Sequence, residues 1–251
     1  MRQRIAALRS GGSNNEPRNR KGAKTIAAPS ETFAYRTVLF DLDGTLLDTL
    51  GDLAAAVNFI LSRHGYTPVT ADDTRRFVGS GVARLMERAL PGGLENLFFA
   101  ECLKEFQRYY SQHMDVLTKP YPGILELLER LQTAGVKTAV VSNKFDAAVN
   151  LLTDKYFGAL IGTAVGESEQ TPRKPAPDMV FKALERLGAD KDSAVLVGDS
   201  DIDVLTAANA GMDCIAVTWG FRDRSALECA GASVFADSPA QLLRTLTSDR
   251  R

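Results

Sequence analysis

The chain has 251 residues, enough for one large domain or for a domain with a smaller insert. Apolar residues make up 45% and charged residues 24%, which excludes global disorder, collagen-like fibres and coiled coils, and no apolar run is long enough to cross a bilayer. A net charge of −1 gives no overall attraction to nucleic acid or acidic membranes, and Cys102, Cys214 and Cys229 share no short spacing that would make a zinc site or a disulfide framework. That cysteine usage fits a reducing, cytoplasmic setting.

Charge is uneven along the chain. Residues 1–32 hold seven Lys/Arg against two acidic residues and include Gly11-Gly12-Ser13-Asn14-Asn15. No apolar period runs through them, which predicts a disordered basic tail over residues 1–34. The stretch lacks the apolar centre of a secretory signal. It is weakly like an organelle transit peptide; the plainer reading is an unstructured tail.

From there, strand and helix alternate. Thr37-Val38-Leu39-Phe40 is a short β-branched and apolar run that predicts a buried strand. The stretch from about 52 to 120 breaks the rhythm, with helices expected over Leu53–Arg63, Asp72–Val78, Val82–Leu90 and Leu94–Met114 and no strand. Gly65, Pro68, Gly79, Gly81 and Pro91-Gly92-Gly93 punctuate it. Ile124, Leu127, Leu128 and Leu131 then share one face of a helix ended by Gly135. Thr138–Val141 predicts the second strand, and Val149, Leu152 and Tyr156 a further helix. Leu160–Val165 is a weaker strand. Val180, Ala183, Leu184 and Leu187 mark a helix stopped by Gly188, and Ala194–Val197, Ile215–Val217 and Val234-Phe235 complete the set. The expected fold is α/β: a Rossmann-like parallel sheet with helices on both faces, formed by residues 35–50 and 121–251, with an inserted helical cap over 51–120.

In such sheets ligands bind beyond the carboxyl ends of the strands. The first strand runs into Asp41-Leu42-Asp43-Gly44-Thr45, the second into Ser142-Asn143-Lys144, and the third into Gly198-Asp199-Ser200-Asp201-Ile202-Asp203. A single Asp after a strand is often only a helix cap. Four aspartates gathered at neighbouring strand ends repel one another unless a cation sits among them, and oxygen ligands of this kind suit Mg²⁺. Ser142 and the amides of the following helix can hold an anion. Lys174, in the proline-stiffened run Pro172-Arg173-Lys174-Pro175-Ala176-Pro177, brings a fixed ammonium. Alone it reads as a surface lysine; beside carboxylates and an anion pocket it fits a phosphate group.

Asp41-Leu42-Asp43-Gly44-Thr45, then Val140-Val141-Ser142-Asn143, then Lys174-Pro175, then Gly198-Asp199-Ser200 with Asp203 three residues on, resembles the four-motif signature of the haloacid dehalogenase superfamily. The resemblance covers residues 35–246. Gly79-Ser80-Gly81 with Leu85–Leu90, Pro120-Tyr121-Pro122-Gly123-Ile124, and Trp219-Gly220-Phe221 with Gly231-Ala232 are similar to the cap, hinge and tail of phosphoglycolate phosphatases. The cap loop departs from that group, which often has Gly-Asn-Gly where this chain has Gly-Ser-Gly. The resemblance implies a Mg²⁺-dependent phosphatase of small phosphate esters, with Asp41 as nucleophile and Asp43 as acid/base. It further implies that Asp41, the Asp43 carbonyl and Asp199 hold the metal, that Asp203 is a further ligand or a support for Lys174, and that Ser142 and Lys174 stabilise the phosphoryl group.

Substrate contacts are expected from Ser142, Asn143 and Lys174 and from the cap loop Gly79, Ser80 and Gly81. The Thr45 hydroxyl either touches substrate or caps a helix. Arg88, with Arg84 on the same helical face, is the candidate grip on a substrate carboxylate such as that of 2-phosphoglycolate; the plainer reading pairs both arginines with Glu87 or Glu95. Alternatives on the same scaffold are a sugar phosphomutase of the β-phosphoglucomutase kind, a phosphatase of another small ester, and a catalytically silent binding protein. The expected partner is a small phosphate ester, with no nucleic acid or membrane, on a monomer or homodimer.

Overall fold

The computed structural model of the chain describes residues 33–247; most of the expected basic tail lies outside the described residues. In chain order the strands and helices are β1 (Thr37–Phe40), β2 (Leu47–Asp48), α1 (Leu50–Arg63), α2 (Ala71–Phe77), α3 (Val82–Ala89), α4 (Phe99–His113), β3 (Lys119–Pro120), α5 (Ile124–Thr133), β4 (Lys137–Phe145), α6 (Asp146–Phe157), β5 (Thr163–Glu167), α7 (Asp178–Leu187), β6 (Ala194–Gly198), α8 (Asp201–Ala210), β7 (Asp213–Val217), α9 (Arg224–Cys229), β8 (Phe235–Ala236) and α10 (Pro239–Thr247).

Six strands form one sheet in the order β5-β4-β1-β6-β7-β8, and every pair is parallel. β1 is central, and all four of its residues are buried. Its side chains alternate between faces as strand geometry requires. Val38 and Phe40 pack with α5, α6 and α10, while Leu39 packs with α7 and α8 on the opposite face. Burial on both faces explains why β1 and β6 read as continuous apolar runs instead of alternating ones.

Helices α1 to α4 are inserted between β2 and β3. These two short strands pair antiparallel, with Leu47 opposite Pro120 and Asp48 opposite Lys119. The two chain segments that lead into and out of the insert are therefore tied together at the edge of the core. The sequence reading placed no strand here, because a two-residue pairing carries no periodicity. Within the insert α1 packs on α4 and α2, and α3 packs on α4.

The region of α4 and helix α8 differ from the sequence expectation for local reasons. The helix expected from Leu94 is broken into a 3₁₀ turn, Gly93–Glu95, and then α4. Asn96 interrupts it: its side chain accepts from the Phe98 N–H at 2.9 Å and donates to the Pro91 carbonyl at 2.8 Å, competing with the helical backbone. Helix α8 escaped the periodicity reading because its apolar residues, Ile202, Val204, Leu205 and three alanines, are not confined to one stripe. Its start is written in Ser200 and Asp203, whose side chains and backbones form a reciprocal capping box.

Candidate active site

Three strand ends deliver the site. Asp41 follows β1 directly, and its N–H donates to the Val197 carbonyl of β6 at 2.9 Å. The chain then turns sharply through Gly44, which has φ +92°; a Cβ there would lie 2.3 Å from Asp199 Oδ2. Gly220 is equally tight, since a Cβ would meet the Asp199 Cβ at 2.3 Å. Only glycine lets both backbones approach this carboxylate.

Asp199 is held on both oxygens. The Thr45 hydroxyl donates to Oδ1 at 3.0 Å and the Phe221 N–H donates to Oδ2 at 2.7 Å. Thr45 is fully buried beneath Asp199. It begins no helix and lies outside the cavity lining, so in place of the expected substrate contact its hydroxyl supports Asp199.

Lys174 lies between two carboxylates. Its Nζ donates to Asp41 Oδ1 at 2.7 Å, to Asp203 Oδ1 at 2.6 Å and to the Val141 carbonyl at 3.0 Å. Asp203 Oδ2 accepts from the Ser200 N–H and hydroxyl at 3.1 and 2.6 Å. Support of Lys174, one of the two roles expected of Asp203, is visible in these contacts, and the same carboxylate also belongs to the group that could hold a metal ion. Asn143 also proves to be a positioning residue. Its amide accepts from the Lys174 N–H at 2.7 Å and donates to the Lys174 carbonyl at 2.9 Å and the Gly79 carbonyl at 3.2 Å. It fixes the backbone that carries Lys174, and it also lines the cavity in which a substrate contact was expected. Ser142 is buried on the cavity wall. Its Oγ accepts from the Lys144 N–H at 3.4 Å, which leaves its own O–H to donate.

β4 runs past Val141 to Phe145, with a shift in register against β5 between those two residues. That irregularity re-aims the side chains in between, and Ser142, Asn143 and Lys144 all reach the cavity. Lys144 is the main residue that sequence reasoning passed over. Its ammonium donates to Asp43 Oδ1 and Oδ2 at 2.9 and 3.0 Å and to the Tyr110 hydroxyl at 2.7 Å. It also stands 4.7 Å from the centre of the Tyr110 ring. The signal was present, a lysine directly after Ser142-Asn143, but its partner on α4 is 34 residues away.

A second missed residue is Arg222. It donates to the carbonyls of Arg75 (2.9 Å) and Val78 and pairs with Asp201 at 3.4 Å. Arg173 similarly reaches the Ser80 carbonyl at 3.3 Å. Core arginines therefore hold the loop that follows α2. Gly79 and Gly81 of that loop line the cavity together with Asp41, Asp43, Ser142, Lys174 and Asp199.

Arg88 does not join them. Its side chain is exposed and donates to the Phe77 carbonyl at 3.0 Å, while Arg84 pairs with Glu87 at 2.6 Å. The expected arginine grip on a carboxylate is therefore corrected: α3 turns its buried Leu85 and Met86 inward and both arginines outward. Ser80 also lies outside the cavity lining.

Ligand atoms of Asp41, Asp199 and Asp203 come within 4.8 Å of one another, and all three residues are buried. Burial pushes the Asp41 carboxyl up to about 7, with Lys174 opposing and the Asp203 carboxylate adding to the rise. Asp199 is raised well above the ordinary carboxylate value by burial and by Asp41 and Asp203. Burial would lower Lys174 and Lys144, but their facing carboxylates reverse this and raise both. Three carboxylates around one ammonium leave excess negative charge among hard oxygen donors, which fits a divalent cation. A second group, His64, Glu101 and Glu105, lies in the insert, where Arg63 already pairs with Glu105 at 3.2 Å.

Between the ordinary value of 3.8 and about 7, the folded protein binds more protons than the unfolded chain. In metal-free buffer Asp41 and Asp199 therefore contribute stability at low pH that is lost as pH rises through this window. Thermal melts in chelator should show a smaller contribution at pH 8 than at pH 5, and a divalent cation should raise Tm more at pH 8. A cation-induced shift that is larger at pH 5 would contradict this electrostatic picture.

Comparison with known proteins places these features in a family. The model for haloacid dehalogenase-like hydrolases matches residues 38–217. A phosphoglycolate phosphatase from Aquifex aeolicus is 36% identical over 192 residues, covering 74% of this chain and 86% of that protein. One from Caulobacter vibrioides is 34% identical over 224 residues, covering 84% and 92%. A crystal structure from Lactobacillus delbrueckii subsp. bulgaricus superposes with a TM-score of 0.82 at 37% identity, over 85% of this chain and 98% of that one. With its paired aspartates, lysine and acidic cluster in one cavity, the chain belongs to the haloacid dehalogenase-like hydrolases and is a phosphoric monoester hydrolase similar to phosphoglycolate phosphatases.

Proposed function

We propose that the protein is a Mg²⁺-dependent phosphatase acting on 2-phosphoglycolate through a phosphoryl group carried on Asp41. The observation that carries this reading is the pairing of two carboxylates with two buried ammoniums on one cavity: Asp41 with Lys174 at 2.7 Å, and Asp43 with Lys144 at 2.9 Å. The curated relatives bearing the name phosphoglycolate phosphatase support the choice of substrate.

The chemistry is built from the chain's own residues. An Asp41 oxygen attacks phosphorus as the bond to the leaving oxygen breaks, so no separate base is required to activate the nucleophile. Asp43 delivers a proton to the leaving oxygen, and glycolate departs. A water molecule then attacks the phosphorus of the aspartyl-phosphate, and Asp43 takes the proton it loses. Lys174 and the Ser142 hydroxyl are placed to stabilise phosphoryl oxygens as charge develops. Asp41, the Asp43 carbonyl and Asp199 would hold Mg²⁺, which when bound offsets the negative charge of the carboxylates and phosphate. The helical insert acts as a cap over this site, closing a cavity that has Gly79 and Gly81 on its wall.

Phosphate release from a panel of esters with Mg²⁺ tests the reading. The expected result is the highest kcat/KM on 2-phosphoglycolate. Release from none of the esters, or conversion of a sugar phosphate to its isomer, would exclude it.

Asp43→Asn separates the acid from the nucleophile. It should slow hydrolysis of unactivated esters by roughly 10²–10⁴-fold, the usual worth of a placed acid/base. p-Nitrophenyl phosphate, whose leaving group needs little protonation, should suffer much less. Equal losses on both would remove Asp43 from this role.

A further inference from the structure

We infer that Lys144, held in place by Tyr110, is the residue that grips the carboxylate of the substrate; this rests on the 2-phosphoglycolate reading above.

Among the described residues three cationic side chains line the cavity: Lys144, Lys174 and Arg222. Lys174 lies behind the nucleophile, bonded to Asp41 and Asp203. Arg222 turns its guanidinium to the carbonyls of Arg75 and Val78 and to Asp201. Lys144 alone faces the leaving-group side, because its two carboxylate contacts are with Asp43.

Reach favours the same residue. In 2-phosphoglycolate a single carbon separates the leaving oxygen from the carboxylate, so the carboxylate oxygens lie roughly 3 Å from the leaving oxygen on ordinary bond lengths. Asp43 must stand within about 3 Å of that oxygen to protonate it. The Lys144 ammonium is 2.9 Å from Asp43 and so borders the same small volume.

The local chemistry suits an exchange of partners. A buried ammonium has three N–H groups to satisfy and requires anionic or polar partners. Lys144 satisfies them with both Asp43 oxygens and the Tyr110 hydroxyl. When Asp43 turns one oxygen toward the leaving group, one N–H is released, and a carboxylate one carbon away can accept it. A phosphate ester without a carboxylate offers no such replacement. Tyr110 is fully buried on α4, and its hydroxyl and ring fix the ammonium from the cap side, so little ordering remains to be done on binding. The cap thereby contributes to recognition through a tyrosine in its core, in place of the arginines of α3.

The test compares 2-phosphoglycolate with ethyl phosphate, which has a similarly unactivated leaving group and no carboxylate. The readout is the ratio of their kcat/KM values, so any change common to both esters cancels. Wild-type protein should favour 2-phosphoglycolate, and Lys144→Met should reduce the ratio roughly 10–100-fold, the loss of one charged hydrogen bond. Lys144→Arg should recover part of it. Tyr110→Phe, which keeps the ring and removes one small polar contact, should lower the ratio less, mainly through KM. A Lys144→Met protein with the wild-type ratio would overturn the inference while leaving the substrate reading intact. Wild-type protein with no preference for the carboxylate ester would overturn both. Should Lys144→Met not fold, an unchanged ratio in both Lys144→Arg and Tyr110→Phe would overturn the inference, and a lowered ratio in either would support it.

Discussion

Asp41→Ala is expected to reduce phosphate release by roughly 10⁵–10⁶-fold, the scale seen when a covalent nucleophile is removed. No neighbouring carboxylate can substitute. Asp199 is tied on both oxygens by Thr45 and Phe221, and Asp203 by Lys174 and Ser200. The fold should not suffer. After the substitution Lys174 still donates to Asp203 and to the Val141 carbonyl, and a buried carboxylate with a raised pKa has been taken away. In chelator at pH 8 the variant should melt at the same temperature as the native protein or higher, a site where function is maintained against stability. Appreciable turnover by Asp41→Ala would contradict the assignment, as would a large fall in its metal-free Tm at pH 8.

Lys174→Met is expected to do the reverse to stability. Removing the ammonium leaves Asp41, Asp199 and Asp203 buried together without it. Breaking a buried ion pair from one side costs about 3–5 kcal/mol. For a chain of this size that corresponds to a fall in Tm of roughly 6–20 °C. The sign with pH is fixed by the same physics. The remaining carboxylates are more strongly raised without the lysine, so the variant should regain stability on acidification toward pH 5, where they are protonated. Activity should fall as well if, as proposed, Lys174 stabilises the phosphoryl oxygens. Melting curves at pH 5 and pH 8 check this, and a variant no less stable than wild type at pH 8 would show that the lysine does not balance the cluster.

How legible the site was in the sequence varied with sequence distance. Asp41, Asp199 and Lys174 each sit at the end of a recognisable strand or before a recognisable helix, so local pattern placed them on one edge of the sheet. Roles that depend on a distant partner were not legible in the same way. Thr45 looks like a helix cap until Asp199 is seen above it at 3.0 Å. Asn143 gives no hint in the sequence that both of its amide atoms hold the Lys174 backbone. Arg88 has the right chemistry for a carboxylate but sits on the outer face of α3. Lys144 stands directly after Ser142-Asn143 in the sequence, but its partner Tyr110 could not be read there, because only tertiary packing brings α4 against the end of β4. The fold followed the same division. β1 and β6 carry unbroken apolar runs and were readable directly, whereas α8 spreads its apolar residues around the helix, and β2 with β3 is a pairing across the whole insert.

On the proposed mechanism the phosphoryl group passes through Asp41. Rapid mixing with phosphorus-labelled 2-phosphoglycolate and Mg²⁺, followed by acid quench within the first turnover and peptide mapping, tests it most directly. Label should appear on the peptide containing Asp41, and glycolate should be released ahead of inorganic phosphate. Glycolate and phosphate rising together from the first time point, with no label on the protein, would contradict it.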